Sequence, residues 1–299
     1  MLLRLTGCLG LLMSGSACAG LIVDMAADAL GGGGQSFAAD DDPELVREAL
    51  PFALKTIEGL LERDPENEGL LLAAASGFTQ YAYAFIQQDA EMADAAGSKA
   101  QPLYQRARKL YGRARRYGLS GLEARHEGFT ASFAENRAHA LEATTTEDVP
   151  FLYWTAAAWA AQIAISKQDL QKVGELPEME ALLNRALELD EAFDAGAIHE
   201  VFITYDGGRS QASGGSVERA RQHMHRALEL SNGMKVAPFV TWAEVVSVGA
   251  QNREEFNQML ETALAFDVDS APQYRLANII AQRRAERLQA RTEDLFWEE

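Results

Sequence analysis

The chain has 299 residues, 47% of them hydrophobic, with 44 acidic side chains against 27 basic ones and a formal charge of −17. That balance repels a phosphate backbone, whose binding depends on Lys and Arg displacing counterions, so nucleic acid is excluded as a partner. Abundant Ala, Leu, Glu and Arg with only 8 prolines favour helix over long windows and argue for an all-α fold.

The first residues, MLLRLTGCLGLLMSGSACAG, carry an early Arg4, an apolar stretch and small residues before Cys18. They read as an export signal over 1–17. Both cysteines, Cys8 and Cys18, fall in this leader, so an intramolecular disulfide or a thiolate zinc site is not expected in the mature protein. The small residues ending at Ala17 resemble a bacterial lipobox, which makes Cys18 the expected site of lipidation, favoured over ordinary signal cleavage or Cys8. Ala19 instead of Asp after it points to the outer membrane. Residues 18–42 then form a lipidated tether and flexible linker, GGGGQSFAADDD at its end having neither periodicity nor helix formers. No later run approaches the roughly 18 apolar residues of a membrane-spanning helix, so attachment is expected through the lipid alone.

Asp42 before Pro43 is the order of a helix cap and a first-turn proline. It opens a domain over 43–299. Helices are expected over 43–63, 68–89 and 101–124, then short helical pieces over 126–146. A small-residue helix follows over 151–166, and further helices over 177–189, 193–205, 217–230, 239–249, 253–266 and 272–295. RALELDEAFDAGA from Arg185 recurs as RALELSNGMKVAP from Arg226, with a weaker echo from Thr262. Spacings of roughly 41 and 36 residues fall in the range of stacked helical pairs, near the 34 of a tetratricopeptide repeat. The expected architecture is therefore tetratricopeptide-like helical-hairpin repeats forming a compact superhelix.

Signs of catalysis are sparse. His126, His139, His199, His223 and His225 form no metal signature. HEVFI at His199 lacks the second histidine of a zinc protease, and His223 and His225 point to different helix faces. An acid–base pair of His199 and Glu200 is the one enzymatic reading to weigh. The loop GGRSQASGGS (207–216) either cradles an anion with Arg209 or is an insertion whose Ser216 caps the next helix. FTQYAYAFIQQ (78–88) and FLYWTAAAWAAQ (151–162) mix aromatic bodies with polar tips among small residues, which suits a ligand cleft or a helical core alike.

Over nearly its whole length the chain resembles the TRAP transporter T-component family, TatT. The blocks that carry the likeness are CAGLIVDMAADAL, DDPELVREALPFALKTIEGLL, ASGFTQYAYAFIQQDAE, EDVPFLYWTAAAWAAQIAISK, AIHEVFITYDGG and RLANIIAQRRAERL. The resemblance implies a non-catalytic periplasmic lipoprotein with a channel or cleft through each protomer and a homotrimer. It also implies a role in solute uptake with the periplasmic solute-binding P-component as partner and no cofactor or metal. A general envelope scaffold without a small ligand is the alternative. Polarity on helix faces makes Tyr83, Gln87, Tyr153, Trp154, His199, Glu200, Arg209, Asn278 and Gln282 the expected ligand or partner contacts.

Overall fold

The computed structural model describes residues 35–95 and 100–297, and the expectations for 1–34 lie outside them. Ten helices make up the main array: α1 (Pro43–Leu61), α2 (Glu68–Tyr81), α3 (Gln101–Arg125), α4 (Val149–Ala164), α5 (Leu176–Leu189), α6 (Ala197–Gly207), α7 (Val217–Leu230), α8 (Ala237–Trp242), α9 (Arg253–Leu264) and α10 (Arg275–Ala290). No strand occurs among the described residues, and the fold is all-α as the composition requires.

Local chemistry starts these helices where the sequence places them. Asp42 Oδ1 accepts from the amides of Glu44 and Leu45 at 3.0 and 3.1 Å, filling two of the donors that a helix start leaves open. Asn67, Ser216 and Asn252 cap α2, α7 and α9 in the same manner. Ser216 therefore caps α7 as one reading of the glycine-rich loop expects. Arg209 is held by that loop itself, donating to the carbonyls of Tyr205 and Ser213 at 2.8 and 3.1 Å.

Two elements run past their expected form. The α2 axis continues through a π-helical segment (Ala82–Gln87) into Gln88–Ala95. This stretch passes a length and hydropathy test for a membrane span over Glu68–Ala93, contrary to the sequence expectation, but 67% of its apolar window is buried inside the protein. It is a core helix. A second π segment, Ala243–Ser247, continues α8. By contrast the expected helix over 272–295 is broken: a 3-10 turn (Pro272–Tyr274) precedes α10, and after Arg291 a short helix (Thr292–Leu295) brings Trp297 N to Gln251 Oε1 at 3.0 Å.

The even helices form the inner layer, with α7 and α9 outside them and α1 contributing Leu50 and Ala53 to the same interior. The inner helices contact one another in sequence, α2 with α4, α4 with α6, α6 with α8 and α8 with α10. Paired contacts give their direction. Val236 meets Asn278 and Glu244 meets Arg284, while Tyr83 meets Arg284 and Gln88 meets Arg287. Numbers rise together on both sides, so α2, α8 and α10 run parallel. The sequence echoes at Arg185, Arg226 and Thr262 fall at matching places near the ends of the outer helices α5, α7 and α9.

Close approach of α3 to α4 depends on glycine. A Cβ at Gly121 would stand 2.0 Å from the Phe151 ring, and one at Gly118 would stand 2.1 Å from Thr155 Oγ1. The insertion between these helices (126–148) is two short helices and a 3-10 turn tied down by buried Asp148. Its carboxylate accepts from Thr145 N at 2.7 Å and Arg125 Nε at 2.5 Å, with His126 Nε2 at 3.1 Å.

One continuous apolar core joins α1 to α6, and a second joins α8, α9 and α10. The last helix then returns to the first pair. Arg283 binds Glu44 at 2.7 Å, Arg287 donates to Gln88 at 2.6 Å and Arg275 donates to the Ala39 carbonyl at 2.9 Å. The superhelix is closed into a ring by a seam of arginines.

Candidate functional site

Inside that ring lies a cavity of about 2450 Å³. Each inner helix presents a stripe to it at helical spacing: Ser76, Gln80, Tyr83 and Gln87; Pro150, Tyr153, Ala157, Ala160 and Ala164; Ala197, Glu200 and Thr204; Ala237, Val240, Glu244 and Val248; Tyr274, Ala277, Ile280 and Arg284. Because each stripe spans two or more turns, the cavity extends along the inner helices. Exposed residues line it at both ends, Asp194 and Gln273 at one and Lys167 and Leu170 at the other. The alanines of α4 supply the room.

Polar groups gather at two levels. Near the starts of the inner helices, Lys235 Nζ donates to the Asp194 carbonyl at 2.6 Å and lies 3.3 Å from Glu200 Oε1 and 3.7 Å from Asp194 Oδ2. It also sits over the Tyr274 ring at 5.3 Å. Burial raises the Glu200 carboxyl above its ordinary value, with Asp194 adding to the effect and Lys235 opposing it. Burial alone would lower the Lys235 ammonium, yet Glu200 and Asp194 outweigh it and hold the group charged. Asp194 and Ala195 have φ of 43° and 49°, a left-handed conformation that costs free energy in non-glycine residues and clusters at functional sites.

At the second level the two π segments converge on one arginine. Tyr83 comes from the segment after α2 and Glu244 from the segment after α8, and both bind Arg284 of α10. Behind them buried Tyr111 donates to Gln87 Oε1 at 2.6 Å, and Gln87 Nε2 donates to Glu91 at 2.8 Å. Ten residues of α10 separate Tyr274 from Arg284, about 15 Å at a helical rise of 1.5 Å per residue. Leu276, Ile280, Val201 and Val240 line the wall. The arrangement recognises a molecule with an apolar body and at least one polar end.

Comparison with known proteins places this ring. Residues 39–296 match the TRAP transporter T-component family, TAtT. The chain belongs to that family. It is also 32% identical over 265 residues to a protein of Treponema pallidum (strain Nichols) described as uncharacterized, covering 87% of this chain and 82% of that one.

In this T-component the cavity wall includes seven of the residues expected from sequence: Tyr83, Gln87, Tyr153, Trp154, Glu200, Arg209 and Asn278. Asn278 is engaged by the backbone, accepting from Val236 N at 3.1 Å and donating to the Met234 carbonyl at 2.8 Å. Two expected residues lie elsewhere. Gln282 turns to the end of α9, donating to the carbonyls of Ala263 and Phe266 at 3.0 and 2.8 Å. His199 faces α7, where its Nδ1 lies 2.7 Å from Nδ1 of His223. Although adjacent in sequence, His199 and Glu200 face different ways and do not form an acid–base pair. Among the described residues no group of three His, Cys, Asp or Glu is placed to hold a metal.

Lys235, Asp194, Tyr274, Arg284 and Glu244 are the wall residues that sequence reasoning missed. Lys235 and Asp194 sit in connections, where no periodicity marks a face. Arg284 stands in a run of charges, QRRAERLQAR, that a solvated helix face would also explain.

Proposed function

We propose that this T-component is a non-catalytic accessory protein of a TRAP-type solute uptake system. It docks the periplasmic solute-binding P-component and receives a small molecule in the cavity between its inner helices. It works in the bacterial cell envelope as a homotrimer of tetratricopeptide-like protomers, held on the periplasmic side of the outer membrane by a lipid on Cys18. The single observation that supports this over a ligand-free scaffold is the cavity itself. A scaffold gains nothing from a wall of alanines and paired polar levels where leucines would pack more stably.

The test is a pull-down of tagged protein from gently solubilised envelopes, followed by identification of the proteins retained. The proposal predicts enrichment of a solute-binding P-component over an unrelated lipoprotein bait. Recovery of envelope-assembly proteins without any such component, whatever solutes are added, favours the scaffold.

A further inference from the structure

We infer that the cavity level formed by Asp194, Glu200, Lys235, Tyr153 and Tyr274 is a binding site for a cationic nitrogen, an ammonium group at the end of an apolar molecule. The inference rests on the ligand-binding reading above and names the chemical class of the ligand.

Charge balance is the first observation. Two carboxylates, Asp194 and Glu200, face one ammonium, Lys235, at 3.7 and 3.3 Å. No other charged side chain lines this end among the described residues. The level is short of one positive charge. Burial raises the Glu200 carboxyl and Asp194 adds to the effect, and a bound ammonium supplies the missing charge directly.

The second, independent observation is Glu200 Oε1 itself, which is buried without a well-aligned hydrogen bond, Lys235 Nζ lying 3.3 Å away as its ion-pair partner. Tyr153 is 8% exposed, lines the cavity and stands close enough to Asp194 and Glu200 to feel both charges. A carboxylate oxygen only accepts, and a tyrosine hydroxyl accepts as well as donates, so both can take a donor from a ligand. An ammonium carries up to three.

Aromatic faces complete the site. Tyr153 stands edge-on to Trp154 with ring centres 4.9 Å apart and tilts onto Phe193 at 5.2 Å, while Tyr274 already faces the cation of Lys235. Rings of this kind attract cations through their quadrupoles. A ligand carboxylate would face the opposite balance, since Lys235 is already engaged by Asp194 and Glu200 and a third anion adds repulsion.

The experiment is isothermal titration of the mature protein with octylammonium, octanoate and octanol, which share one apolar tail and differ in the head. Octylammonium is expected to bind at least about tenfold more tightly than octanoate, with octanol between them. Because burial raises the Glu200 carboxyl, octylammonium affinity should weaken as the solution is made more acidic. Glu200→Gln, checked for folding by circular dichroism, should lose about tenfold for octylammonium and little for octanol. Asp194→Asn is the second variant, in case the first unfolds. Equal or tighter binding of octanoate, an unchanged octylammonium affinity in both variants, or no binding of any probe overturns the inference. None of these outcomes depends on the P-component, so failure to form that complex is read separately.

Discussion

Replacement of His199 by Gln should flatten the dependence of stability on pH between 7.5 and 5. His199 and His223 meet between α6 and α7 with Nδ1 atoms 2.7 Å apart, close enough that one proton lies between them. Glu191 lies 3.3 Å from the outer nitrogen of His199 and is held by Arg226, while Asp206 lies 3.8 Å from the outer nitrogen of His223 and is held by Arg219. Phe202 stacks on His223 at 4.6 Å. Burial first, and then the neighbouring His223, push the His199 imidazole down from 6.5 to about 4, against the pull of Glu191. Burial lowers His223 as well, with Asp206 opposing it. Because the folded state resists the proton that the unfolded chain accepts, this contribution is complete above pH 6.5. It is lost as pH falls from there towards 4 and does not change further below that. At pH 5 the loss from His199 alone is about 2 kcal/mol, from 1.36 kcal/mol for each pKa unit of displacement. Urea unfolding followed by tryptophan fluorescence at pH 7.5, 6.5, 5.5 and 5 measures it. Wild type should lose about 2 kcal/mol more than His199→Gln over that range. Parallel pH profiles for the two proteins would refute the buried-pair reasoning.

Four further outcomes follow from the packing and the buried charges. Gly121→Ala places a methyl into the Phe151 ring, and overpacking of about 1–3 kcal/mol should lower Tm by ~2–12 °C. Gly59→Ala on α1 meets nothing within 4 Å and should raise Tm by a few degrees through helix propensity, so calorimetry on the pair separates crowding from propensity. Asn278→Ala leaves buried Val236 N and the Met234 carbonyl without their partner, at about 1–3 kcal/mol for each group, read by urea unfolding. Asp148→Asn should destabilise the protein at neutral pH. Backbone and side-chain hydrogen bonds from Thr145, Arg125 and His126 outweigh burial and hold that carboxylate below 3.8. The difference from wild type should therefore persist above pH 3.8 and close as pH falls through the folded value, which urea unfolding across acid pH would show.

The parts of this fold that were legible in the sequence are those governed by local chemistry. Asp42–Pro43 marks a helix start because a cap and a first-turn proline act within four residues. Ala220, Met224 and Ala227 mark the buried face of α7 because the helical period is short. The echoes at Arg185, Arg226 and Thr262 fall at matching places on the outer helices α5, α7 and α9. What was hidden depends on ring closure. Nothing local says that α10 returns to α1, so the meeting of Arg284 with Tyr83, 201 positions away, could not be read from either segment. The π segments were also invisible, although they carry Tyr83, Gln87 and Glu244 of the cavity wall. Tyr153, Trp154 and Glu200 were found because they sit on regular helices with polar tips among small neighbours. His199 was misplaced because a histidine on an inner helix can face the neighbouring outer helix as readily as the cavity.

The central claim is that the cavity holds a solute which this protein exchanges with a P-component. Native mass spectrometry of the mature protein with that component, on wild type and on Ala161→Trp, tests it most directly, because the added ring projects into the cavity wall. The account predicts a complex for both proteins, with a small-molecule mass increment on wild type that Ala161→Trp lacks. Absence of the complex, or an increment that survives the blocked cavity, would contradict it.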